Sequence, residues 1–189
     1  MNKFTAAVAA TFFATAAFAE PLALTRADPQ PAADDLTPGL AVSYAYESVR
    51  TLAEAKEALD SDGSEGKPIR GLSYEDNNEG DLLMTAKKAE KVSVAISGFI
   101  RFDEAGTFEV DTLSNDGLEL FIGGQEVAYY DEVHACNPSG VIEVMVPEAG
   151  WYALEATYFQ RKGSACLTMD WNVGGEMGMV PDAAFAHIE

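Results

Sequence analysis

From Val92 to the end of the chain, apolar and polar residues alternate in short runs, the period of a strand with one buried face. Thr107-Phe108-Glu109-Val110-Asp111-Thr112-Leu113 is one such run, and Leu118, Leu120 and Ile122 alternate with Glu119 and Phe121 in the next. Further runs lie at Val92-Ser93-Val94-Ala95-Ile96, Glu126 to Tyr130, Val141 to Val146, Trp151 to Phe159 and Cys166 to Val173. Turn residues separate them. Asn115-Asp116-Gly117 and Gly123-Gly124 are such turns; Asn and Asp bond to nearby backbone and tolerate unusual angles, and Gly accepts positive φ. Many short strands joined in this way predict an all-β, antiparallel β-sandwich. Tyr152, Leu154, Ala156 and Tyr158 share one strand face, as do Leu167, Met169 and Trp171, which places these aromatics in the core rather than on a sugar platform.

One short peripheral α-helix is expected. Thr51-Leu52-Ala53-Glu54 has capping-box spacing, and Leu52, Ala55 and Leu59 recur at helical intervals as far as Asp60-Ser61-Asp62-Gly63. It is expected to pack over one end of the sandwich. Gly63 to Gly66 and the acidic stretch Tyr74 to Gly80 read as loops; the second lacks the ligand spacing of an EF-hand.

The order GFIRFDEAGTFEVDTLSNDGLELFIGGQEV, followed by PEAGWYALEATYFQRKGSACLTMDW, resembles the protective-antigen domain family, the PA-fourteen β-sandwich of toxins, adhesins and glycosidases. The likeness extends from the Gly39-Leu40 opening with its aromatic strand to the closing Val180-Pro181, Phe185 and His187, so residues 39–189 are expected to form the domain. In sugar-binding members, two adjacent Asp residues joined by a cis peptide hold a calcium ion, which in turn holds vicinal sugar hydroxyls. Calcium takes six to eight oxygens, so a neutral diol can complete its shell. Carried over residue by residue, the resemblance implies metal ligands at Asn115, Asp116 and Gln160, carbonyl donors near Lys162 and Ser164, and ligand binding by Asn115, Asp116, Gln160 and Ser164. Asn115 stands where the family has its first Asp, which removes one formal charge, and Arg161 and Lys162 bring cations towards the ion. The residues also admit a second reading, in which Asp116 only builds the turn by accepting backbone hydrogen bonds.

Composition narrows the function. Lys3, an Ala-rich apolar run and Ala17-Phe18-Ala19 have the plan of a secretory signal over residues 1–19, so the protein is expected to be secreted or periplasmic. Residues 20–38, with Pro29, Pro31 and Pro38 and few large apolar groups, read as a flexible linker. No stretch is long and apolar enough to span a bilayer. The net charge of -19 opposes nucleic acid and anionic membrane surfaces as partners. Cys136 and Cys166 are expected to form one disulfide in an exported chain, with two buried free thiols as the alternative. His134-Ala135-Cys136 falls short of a zinc site, which takes three or four ligands. No dinucleotide fingerprint, phosphate loop or Gly-x-Ser-x-Gly elbow is present, and the many acids single out no catalytic pair, so a non-catalytic protein is expected. The leading expectation is a carbohydrate-binding module for a neutral glycan or cell-envelope polysaccharide, assisted by calcium at the Asn-Asp turn. The alternative is a structural or interaction domain that pairs with another envelope protein.

Overall fold

The computed structural model describes residues 20–189. The signal-like segment 1–19 lies outside the described residues. In chain order the first elements are β1 (Leu22–Ala23), β2 (Leu36–Pro38), β3 (Ala41–Ala45), α1 (Leu52–Asp62), β4 (Ser64–Glu65) and β5 (Ser73–Tyr74). The long central strands follow: β6 (Val92–Phe102), β7 (Gly106–Ser114), β8 (Leu118–Ile122), β9 (Gln125–Tyr130), β10 (Asn137–Pro138), β11 (Ile142–Val146) and β12 (Gly150–Gln160). The chain closes with β13 (Leu167–Trp171), β14 (Gly178–Met179) and β15 (Phe185–Ile188).

Two sheets face each other. One runs β1-β11-β7-β13-β14, with β10 added to β7 and β5 to β13. The other runs β2-β15-β6-β12-β8-β9, with β3 beside β6 and β4 beside β3. Among the described residues, only the β1–β11 pair is parallel. This is the antiparallel sandwich that the alternation predicts, and its core is drawn from both inner faces. Phe102 of β6 sits among Phe108 and Trp171 of the opposite sheet and Tyr152 of its own, with ring centroids 6.1, 5.2 and 5.4 Å away. Tyr152, Leu154, Ala156 and Tyr158 are buried together, as are Leu167, Met169 and Trp171, so the period-two reading of these strands holds. At Gly98, β6 changes neighbour from β3 to β15. A Cβ there would come within 2.5 Å of the Ala186 carbonyl, and φ is +154°. A side chain at this position would force the two strands apart.

Three expectations change. Residues 20–38 are packed rather than a free linker: Leu22 and Ala23 pair with Val144 and Met145, Leu24 is buried in the core, and Leu36–Pro38 pairs with β15. Gln30 adds to this by accepting from the Trp151 amide at 2.8 Å and donating to the Trp151 carbonyl at 2.9 Å. Sheet edges bind backbone, which needs few large side chains, so composition gives no sign of it. Gly63 to Gly66 likewise contributes β4. The helix, capped as expected by the Thr51 hydroxyl accepting from the Glu54 amide, lies over the outer face of the second sheet rather than over an end. There Leu52, Ala55 and Ala58 close a small second core with Ala45, Val49 and Phe159.

Candidate functional site

Asn115-Asp116-Gly117 joins strands that belong to different sheets, β7 and β8, so it is a crossing between layers and no hairpin. Asp116 carries the positive φ of the turn, +57°, a conformation that Asp tolerates through local hydrogen bonding. Gly117 serves a different need. A Cβ on it would lie 2.1 Å from the Phe159 ring, so a side chain here would push the turn off the second core. Three separate segments hold the turn's backbone. The Asn115 amide donates to the Cys166 carbonyl at 3.2 Å, the Asp116 amide to His134 at 3.1 Å, and the Phe159 amide to the Gly117 carbonyl at 3.0 Å. The Cys136–Cys166 disulfide ties the 131–141 loop to the same place.

The structure brings Asn115, Asp116 and Gln160 together and buries them, at 5%, 1% and 0% exposure. Ser164 joins them through its backbone and is partly exposed. The Asp116 carboxylate accepts from the Arg161 amide at 2.7 Å. Gln160 Oε1 accepts from Asn115 Nδ2 at 3.0 Å and from the Tyr158 hydroxyl at 2.8 Å. Its Nε2 donates to the carbonyls of Lys162 and Ser164, both at 3.0 Å. These two carbonyls fix the orientation of the amide, because the reverse orientation would set Oε1 against two oxygens.

Sequence reasoning misses the outer supports of this loop. Glu90 accepts from the Gly163 amide at 3.0 Å, Asn77 accepts from the Ala165 amide at 2.7 Å, and the Lys91 amide donates to Arg161 at 3.2 Å. The acidic stretch around Asn77 is therefore an anchor. Tyr158 is legible as core, but the partner of its hydroxyl is not. Burial pushes that hydroxyl's pKa well up, with the charges of Asp116 and Asp76 adding to the effect, so it remains a proton donor. Burial also raises the Asp116 carboxyl, against the lowering effect of the Arg161, His134 and Lys162 amides and of the His134 charge.

These residues do not fit a calcium ion. Such an ion gathers six to eight free oxygens. Here both lone pairs of Gln160 Oε1 are engaged, and the two loop carbonyls already face an N–H donor. Among the described residues, no group of three or more His, Cys, Asp or Glu is disposed to hold a metal. The Asn115 amide is itself structural, as a donor to Gln160. Asn115→Asp is therefore expected to destabilise by roughly 1–2 kcal/mol, since it sets a buried carboxylate against Gln160 Oε1. Urea unfolding of the variant checks this, and an unchanged midpoint would contradict it.

Beside the buried group lies a polar cleft of about 510 Å³, lined by Ser48, Arg50, Glu54, Glu57 and Asp62 from the α1 region and by Arg161. The start of the helix is fixed there by the Leu52 amide, which donates to Asp131 at 2.5 Å. Lys162 is exposed on the same loop as Arg161.

A family model of the PA14 domain matches residues 74–184, and the chain belongs to that family. Among solved structures, it is similar to the PA14 domain of the MpAFP antifreeze protein, with 16% identity over 85% of this chain and 96% of that one and a TM-score of 0.68. The PA14 sugar-binding domain from an RTX adhesin is 20% identical over 80% of this chain and 99% of its own, with a TM-score of 0.65. A subtype-switched Epithelial Adhesin 9 to 1 A domain from Candida glabrata, in complex with beta-lactose, is 13% identical over 91% and 96%, with a TM-score of 0.68. A search of curated proteins found no match.

Proposed function

We propose that this protein is an exported, non-catalytic carbohydrate-binding module that meets a neutral glycan at the polar cleft between the α1 region and Arg161 of the 160–165 loop. The observation that carries this reading is the support itself. A buried, hydrogen-bonded group at Asn115, Asp116 and Gln160 holds the 160–165 loop in place, and Arg161 of that loop lines a concave polar surface. Sugar hydroxyls both donate and accept, and the cleft offers carboxylates beside guanidinium groups, a combination suited to them. An acidic glycan would meet the field of a chain with a net charge of -19. The same fold carries sugars elsewhere, in the RTX adhesin domain described as sugar-binding and in the adhesin solved with beta-lactose.

Asn115, Asp116 and Gln160 act in this reading as supports beneath the ligand, and the exposed residues make the contacts. A glycan array is expected to show neutral oligosaccharides retained on the wild type. Arg161→Ala, whose loss touches the cleft and leaves the backbone amide on Asp116 intact, should weaken binding by about tenfold or more, ~1.4 kcal/mol, with the melting temperature unchanged. A blank array would turn the reading towards an interaction domain of the cell envelope. That second reading is favoured by Tyr129, Val133 and Val141, apolar side chains left exposed around the 131–141 loop.

A further inference from the structure

We propose that the carboxamide of Gln160 takes the place of a metal ion in this chain, so that the loop end of the sandwich is organised without calcium. A bound cation at such a loop gathers carbonyl oxygens that point at one spot. Here the Lys162 and Ser164 carbonyls point at one spot, and the group there is Gln160 Nε2, 3.0 Å from each. The positive end of the amide dipole faces the two carbonyls. Its negative end, Oε1, faces the other way and is held by Asn115 Nδ2 and the Tyr158 hydroxyl. Asn115 suits this arrangement where Asp would not, because only the amide can donate to Oε1. Gln160 and Asn115 thus form a matched pair, and the charge missing from the Asn-Asp turn is a consequence of filling the centre with an amide. Arg161, whose amide is bonded to Asp116, can then lie alongside with no cation to repel. The inference does not rest on the glycan reading, since its readouts involve no sugar.

The test is thermal unfolding of the full chain in millimolar calcium and in chelator, with the bound metal measured by elemental analysis. The wild type is expected to melt at the same temperature in both buffers, within about 1 °C, and to retain no stoichiometric calcium; a site saturated a hundredfold would raise the midpoint by roughly 5–10 °C. Gln160→Glu removes the two N–H donors and sets a carboxylate among the carbonyls. This variant should melt lower in chelator and recover several degrees on adding calcium. Gln160→Met, of similar length but with no amide, should melt lower than wild type in either buffer. Calcium bound by the wild type, or a calcium-dependent rise in its melting temperature, would overturn the proposal. So would a folded Gln160→Glu indifferent to calcium, or a Gln160→Met as stable as the wild type. If Gln160→Glu does not fold, the wild-type and Gln160→Met measurements still decide.

Discussion

Replacing Cys136 and Cys166 together by serine is expected to lower the free energy of unfolding by roughly 3–4 kcal/mol, the chain-entropy value for a loop of this length. The bridge joins residues separated by 30 in sequence, and it restricts the unfolded chain accordingly. Its position adds a local effect. The other anchors of the 131–141 loop are the Leu52 amide on Asp131 at its start, the Ser139 amide on the Thr112 carbonyl, the Thr112 hydroxyl on the Ser139 hydroxyl, the Gly140 amide on Asp111, and the short pairing of β10 with β7. The Asp116 amide also depends on this loop, since it donates to the His134 carbonyl. Without the bridge, the loop should open before the sheets do, exposing the turn. Urea unfolding of the oxidised protein, the reduced protein and the double serine variant measures the loss. Midpoints within error of one another would refute it.

The sandwich is legible in the sequence because alternation is a local signal that reports which face is buried. Phe108 and Val110 point inward and Glu109 outward in the structure, as the pattern requires. The helix is legible for a related reason, since Thr51 and Glu54 meet within one turn. The packing of residues 20–38 is not legible. Its anchors are one buried leucine, Leu24, the Gln30 side chain on the Trp151 backbone, and backbone pairing with strands more than a hundred residues away. The crossing at 115–117 is hidden too, because a short turn between two alternating strands looks the same whether or not they pair. Within the site, the resemblance singles out Asn115, Asp116 and Gln160, which lie side by side in the structure, but their roles depend on partners distant in sequence. Asn115 and Gln160 are 45 residues apart, Glu90 and Gly163 are 73 apart, and Asn77 and Ala165 are 88 apart. Residue type alone marks an Asn or Gln oxygen as a possible metal ligand. Only the fold shows which lone pairs are already taken.

At Asp116, substitution by alanine is expected to cost about 2–4 kcal/mol. The Arg161 amide would lose its acceptor in a buried setting, and alanine would have to hold φ at +57° without the local hydrogen bonding that eases it for Asp. Asp116→Asn separates charge from shape, because it keeps an oxygen for the Arg161 amide and tolerates the left-handed conformation. The two variants therefore differ in their dependence on pH. Burial raises the Asp116 carboxyl above its ordinary value, so the folded state binds that proton more tightly than the unfolded chain does. Between the ordinary and the raised value, the native protein carries more protons than the unfolded chain, and stability falls as pH rises through that window. This contribution is fully present below the unfolded-state value and is lost as pH passes the folded-state value. Relative to Asp116→Asn, the wild type should thus gain stability as the solution is acidified from neutral through this range. Urea midpoints of wild type, Asp116→Asn and Asp116→Ala across that range test both claims. Parallel profiles for wild type and Asp116→Asn would show that the buried carboxyl does not govern the pH response, and an Asp116→Ala midpoint equal to wild type would show that it does not hold the 160–165 loop.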